Sequence, residues 1–149
     1  ALKQKVAQVA TGMVILDPVT LADGTNGNGV AANTVIKKKP TLIITDNTHE
    51  ITAPFALHQL VNPFTIYPRL TSAEIPGLAP DAISLATTDS LPTWSPLFVV
   101  ESGGELLSGF GSAPARRVGG LLGGKIDNMS EDGKTLLRRA IEWVRQPLE

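Results

Sequence analysis

Ser130-Glu131-Asp132-Gly133-Lys134-Thr135-Leu136-Leu137-Arg138-Arg139-Ala140-Ile141-Glu142-Trp143-Val144-Arg145-Gln146-Pro147 is the stretch whose pattern organises the rest of the chain. Ser130 suits an N-cap, because its hydroxyl can accept from a first-turn backbone N–H. Glu131 and Asp132 place negative charge at the positive end of the helix dipole. Leu136, Leu137, Ala140, Ile141 and Val144 recur at helical spacing and form one apolar face. Lys134, Arg138, Arg139, Glu142 and Arg145 take the remaining positions, Trp143 is expected to pack, and Pro147 stops the element. The pattern predicts one amphipathic helix laid by one face on a sheet.

The sheet is read upstream. Gly12 to Leu16, Thr41 to Thr45, Phe64 to Tyr67, Ala82 to Thr87, Leu97 to Glu101 and Ala115 to Leu122 are short apolar or β-branched runs. Prolines 63, 68, 76, 80, 92, 96 and 114 fall between these runs, where proline removes no ladder hydrogen bond. Val19 to Ala22 reads as a short helical turn, and Asp23 to Gly29 as a loop of turn-prone residues. That loop is poor in carboxylates for a calcium site, since only Asp23 is acidic and no Glu closes it. The expected fold is α/β, a mixed, strand-rich sheet with the C-terminal helix packed on it, with α+β as the alternative. Residues 1–147 read as one domain excised from a larger protein, and Leu148-Glu149 as a cloning scar.

Composition bounds the chemistry. The chain has 149 residues, 42% hydrophobic and 18% charged, with 13 Lys plus Arg against 14 Asp plus Glu. A net charge of −1 argues against nucleic acid as a partner, because phosphate binding needs a surplus of cations. No stretch approaches the ~20 apolar residues of a membrane span. The absence of cysteine excludes thiol catalysis, Cys-ligated metal and disulfides, and is compatible with either redox compartment.

The candidate chemistry is thin. Gly119-Gly120-Leu121-Leu122-Gly123-Gly124-Lys125 satisfies a phosphate-loop string, but Ile126 stands where Ser or Thr should ligate magnesium, and the helix cap comes only at Ser130. A glycine-rich strand end accounts for it better. Asp46, Asn47, His49 and Glu50 follow a strand, where His49 could act as a general base beside a carboxylate. Adjacent residues on an extended chain face opposite ways, so His49 and Glu50 are poorly arranged for that. Two histidines without organised carboxylates make a poor metal site, and no cofactor is expected. Ser102-Gly103-Gly104 reads as a hairpin between Leu97–Glu101 and Glu105-Leu106-Leu107, lacking the full nucleophile-elbow pattern because residue 100 is Val. Trp94, between Pro92 and Pro96, is the one loop aromatic suited to sugar or peptide contact.

Three pieces together resemble a bacterial domain group related to class I glutamine amidotransferases. They are Val14-Ile15-Leu16-Asp17-Pro18; Thr41-Leu42-Ile43-Ile44-Thr45 with Asn47-Thr48-His49-Glu50-Ile51-Thr52; and Ala113-Pro114-Ala115-Arg116-Arg117-Val118 followed by the helix ending Ala140-Ile141-Glu142-Trp143. The resemblance implies a flavodoxin-like sheet, with this chain covering mainly its later half and one face left bare or completed by another chain. The glutaminases of that class use a Cys nucleophile and a His-x-Glu pair; both are missing here, so no catalytic residue carries over. The expectation is a non-catalytic structural or partner-binding module of a larger bacterial protein. Its partners would be other domains of the parent chain, a separate protein, or a second copy. The alternatives are a hydrolase or transferase using His49 with a nearby carboxylate, and a carbohydrate-binding module. Asp46, Asn47, His49, Glu50, Trp94 and Ser102 are the candidate ligand-binding residues.

Overall fold

The computed structural model describes residues 7–16, 29–37, 41–66, 69–88, 93–120 and 126–147. Nine strands are described: β1 (Met13–Ile15), β2 (Thr34–Lys37), β3 (Leu42–Ile44), β4 (Leu60–Val61), β5 (Leu70–Glu74), β6 (Ile83–Thr88), β7 (Trp94–Ser95), β8 (Leu97–Val100) and β9 (Arg117–Gly120). Helix α1 (Glu131–Arg145) follows. A six-stranded sheet runs β1-β9-β8-β6-β3-β4, and a three-stranded sheet runs β2-β5-β7. The β1–β9 pair is parallel and the other pairs are antiparallel. The fold is thus mixed and strand-rich, with a C-terminal helix on the sheet.

Strand β8 shows why the apolar runs are continuous. All four of its residues are buried. Leu97 and Val99 join the core under α1, with Leu42, Ile44, Leu85, Leu136 and Trp143. Phe98 and Val100 point the other way, into a second core with Ile15, Ala73, Leu106 and Phe110. A strand covered on both faces needs apolar residues at every position rather than alternate ones. The bare face expected from the sequence is therefore corrected: Ala73 of the small sheet, Ala7, Val30 and Ala31, and Leu106, Phe110 and Ala113 between β8 and β9 cover it.

Helix α1 begins as its sequence dictates. The Ser130 hydroxyl accepts from the Gly133 N–H at 3.1 Å, and Glu131 and Asp132 occupy the first turn. The Ser130 N–H donates to the Pro63 carbonyl and its hydroxyl to the Asn62 carbonyl, at 2.8 and 2.6 Å. Over residues 64–66 this corrects the strand expected at Phe64 to Tyr67, whose last residue lies outside the described ones. Phe64 makes only a single bridge to Met129, and its neighbourhood serves to seat the helix start. The hairpin expected at Ser102-Gly103-Gly104 is also corrected. Gly104 N–H does donate to the Glu101 carbonyl, but the returning chain pairs with residues 111–113 rather than with β8. Strand β8 already has β6 and β9 as neighbours, which leaves it no free edge. Ile141 departs from the expected core face too, being 41% exposed.

A bulge in β6 lies where the two sheets meet. Register shifts between Ser84 and Ala86, where β6 pairs with β8. The Ser84 and Ser95 hydroxyls lie 2.7 Å apart, and both reach the Ala86 carbonyl that the bulge exposes. Several expectations fall outside the described residues: the Val19–Ala22 turn, the Asp23–Gly29 loop apart from Gly29, residues 121–125 of the phosphate-loop string, and Leu148-Glu149.

Arg117 carries an unusual share of the architecture. It is 1% exposed, and among the described residues no carboxylate is its partner. Its Nη2 donates to the Val9 and Ala7 carbonyls at 2.6 and 3.3 Å, and its Nη1 reaches those of Thr11, Ala115 and Arg116. Burial lowers its pKa from the ordinary arginine value, and the group remains a cation held by carbonyl dipoles. Replacing Arg117 by Met orphans several of these carbonyls. The expected result is a loss of roughly 2–4 kcal/mol in urea unfolding, with faster proteolysis within residues 7–11. Gly133 supplies a second test. A Cβ there would run into the Pro63 carbonyl oxygen. Alanine is the better helix former by about 1 kcal/mol, yet Gly133→Ala is expected to destabilise by roughly 1–3 kcal/mol through overpacking; an unchanged or higher melting temperature would contradict this packing.

Candidate functional site

Strands β3 and β8 run parallel to one another across β6, so their carboxyl ends share one edge of the large sheet. The loop after β3 carries Asp46, Asn47, His49 and Glu50, and the turn after β8 carries Glu101 and Ser102. Arg116 enters at the start of β9, and the C-terminal end of α1 brings Trp143 and Gln146 to the same place.

The loop is built from its own side chains. Asp46 Oδ1 accepts from the Thr48 N–H and hydroxyl at 2.8 and 2.6 Å, and these bonds hold its carboxyl below the usual carboxylate range. The buried Thr52 hydroxyl donates to the Asp46 carbonyl, and Asn47 Nδ2 to that of Phe55. Backbone bonds from Thr52 and Ala53 to the His49 carbonyl close a helical turn, as the sequence suggested. His49 Nδ1 accepts from the Ile51 N–H at 3.2 Å. A neutral imidazole whose Nδ1 accepts carries its proton on Nε2.

His49 is half-buried with its ring edge-on to Trp143, centroids 4.8 Å apart. Burial is the main cause that lowers its pKa below the ordinary value. Asp46, Glu50 and Glu101 oppose that shift, and Arg116 adds to it. The Arg116 guanidinium lies 4.8 Å from the Trp143 ring centroid. Its Nε donates to Glu101 Oε1 at 2.6 Å, and its Nη1 to Gln146 Oε1 and to the Trp143 carbonyl. A cation on the last carbonyls of a helix is favoured by the helix dipole. Gln146 also donates to Glu50 Oε2 at 2.6 Å, and Arg139 Nε to the Glu50 carbonyl.

The structure thus brings Asp46, Asn47, His49 and Glu50 together on one loop, beside the helix end. Ser102 shares the sheet edge, but its hydroxyl is directed at the Pro114 carbonyl, 3.5 Å away. The Asp46 carboxylate meets the backbone N–H of His49, whereas the His49 ring takes the Ile51 N–H. His58 opens the approach to β4 with a φ of 64°, and its N–H donates to the Ile44 carbonyl. Trp94, expected in a loop, is instead half-buried in β7 of the small sheet, because β7 pairs with β5. Sequence reasoning did not single out Glu101, Arg116, Trp143 or Gln146 for this edge. The available signal was the doublet Arg116-Arg117 opening a strand, since successive side chains must face opposite ways. No group of three or more metal-ligating side chains is placed to hold an ion among the described residues. No helix among them is long and apolar enough to cross a membrane. The chain matches no family model, no curated protein and no solved structure.

The titration of this edge is testable. His49 binds its proton less readily in the folded chain than in the unfolded one, so protonation favours unfolding. Stability is therefore expected to fall as pH drops below about 6.5, the ordinary histidine value. Asp46, with its lowered pKa, contributes stability that is lost only at lower pH, below about 4. Denaturant midpoints measured between about pH 7.5 and pH 5.5 should decline for the wild type and decline less for His49→Gln. Equal slopes would remove His49 as the source.

Proposed function

We propose that this chain is a non-catalytic structural or partner-binding module of a larger bacterial protein. One observation carries the reading: the groups that could do acid–base work at the strand ends are occupied in holding the fold together. The basic nitrogen of His49 is taken by the Ile51 N–H, and its other nitrogen carries the proton. Asp46 caps its own loop, Glu50 ties to Gln146, and Glu101 is paired with Arg116. A general base needs a free lone pair within reach of a substrate proton, and these bonds leave His49 without one.

The relation to class I glutamine amidotransferases belongs to this proposal as a relation of scaffold. Two of the three pieces that carry the resemblance, the loop through His49 and the Arg116-Arg117 strand with its helix, meet at one edge. The absence of cysteine from the chain leaves that chemistry without its nucleophile. Binding is supported by large apolar side chains left exposed, among them Leu57, Leu60, Ile66, Ile126 and Ile141. The partners compatible with it are neighbouring domains of the parent chain, a separate protein, or a second copy.

The rival enzyme reading has a direct test. The purified chain is expected to show no turnover on panels of ester, amide, phosphoester and glycoside substrates above that of a His49→Ala variant. Robust hydrolysis by the wild type that His49→Ala abolishes would overturn the proposal. Saturable sugar binding lost in Trp94→Ala would instead favour the carbohydrate reading.

A further inference from the structure

Helix α1 is apolar over a wider arc than the sheet covers. Leu136, Ala140 and Trp143 are buried, whereas Ile141 on the flank keeps 41% of its surface exposed. With Leu137, Met129 and the exposed Ile126 it floors an open groove of about 360 Å³. The rim is ionic: Lys134, Arg138 and Arg145 line it with Glu142, and Glu131 lies beside Lys134, which leaves the cations in excess by one. The chain as a whole has a net charge of −1, so this positive rim is a local feature and not part of a generally basic surface.

The rim cations are loosely held. Lys134 Nζ lies 3.1 Å from Glu131, and Arg138 Nε lies 4.0 Å from Glu142, with all four side chains more than half exposed. Exposed pairs of this kind contribute little, so exchanging these carboxylates for those of a partner costs little.

We propose that this groove docks a protein segment presenting apolar side chains flanked by Asp or Glu. The inference rests on reading the chain as a partner-binding module and specifies the partner's chemistry. Apolar anchors would displace water from the Ile126, Met129, Leu137 and Ile141 floor, while the flanking carboxylates meet Lys134, Arg138 and Arg145. Charge complementarity of this kind sets register and raises the association rate. A second copy is the less suitable occupant, because self-pairing would bring two net-positive rims together.

The test is selection of a short-peptide display library on the whole chain, followed by affinity measurement on the synthesised winners. Enriched peptides are expected to combine Leu, Ile or Phe with neighbouring Asp or Glu. Their binding should weaken about tenfold or more in Ile141→Ser and in Arg138→Glu, and also with added salt. Both positions are exposed on the helix, and circular dichroism with a melting curve checks that the variants stay folded. Absence of enrichment, winners without acidic bias, or winners indifferent to both substitutions would overturn the groove. So would a wild-type dimer in sedimentation that Ile141→Ser dissolves. Turnover lost in His49→Ala would instead overturn the module reading while leaving groove binding intact, so the two failures are distinguishable.

Discussion

Arg116 and Arg117 are adjacent on an extended strand, and so they leave it on opposite faces. Arg116 reaches toward the helix layer, where it bonds the Trp143 carbonyl, lies against the Trp143 ring and pairs with Glu101. Arg117 reaches into the other layer, where it gathers the carbonyls of Ala7, Val9 and Thr11. Two consecutive side chains therefore clamp both outer layers onto β9. The two roles differ in physics. Arg116 is partly exposed and shares its charge with a carboxylate, whereas Arg117 is buried and bonds to backbone carbonyls among the described residues. Its Nε, buried without a hydrogen-bond partner, is the cost of that position.

Close approach of backbones reinforces the clamp. Gly133 at the start of α1 lies against the Pro63 carbonyl, and Gly12 before β1 lies against the backbone of Val144 near its end. A side chain at either site would push the helix off the sheet. Glycine in the first turn costs helix propensity, but packing recovers more than propensity loses. The helix is thereby fixed at both ends, and its position decides which of its apolar residues find cover. Leu136, Ala140 and Trp143 do; Ile141 does not.

The strand-end edge follows from the same geometry. In open α/β sheets, ligands commonly sit beyond the carboxyl ends of strands, and here that edge is occupied by the chain itself. The loop after β3 is knotted to the helix end through Glu50, Gln146 and Arg139, and His49 is packed against Trp143. Polar residues that look like chemistry in the sequence are serving as loop caps and interlayer ties. On the flank of α1, by contrast, an apolar floor and a cationic rim coincide.

Much of this was legible in the residues themselves. The helix, its Ser130 cap, the strand at Leu42–Ile44 and the buried run Leu97–Val100 were determined locally, by spacing, capping chemistry and apolar continuity. The polar loop at residues 46–54 was determined locally too, since Asp46 and Thr48 bond within two residues of each other. What the tertiary structure decided is everything that depends on which distant segments meet. Residues 60–64 became an edge strand and a helix seat instead of the strand expected at Phe64, because α1 docks there. The hairpin partner of residues 103–105 became residues 112–113, because β8 already had neighbours on both edges. The fate of His49 turned on Trp143 and Arg116, which lie far from it in sequence. Periodicity and propensity report on neighbours within a few residues; which side chain covers, caps or charges another across that distance is settled only when the layers pack.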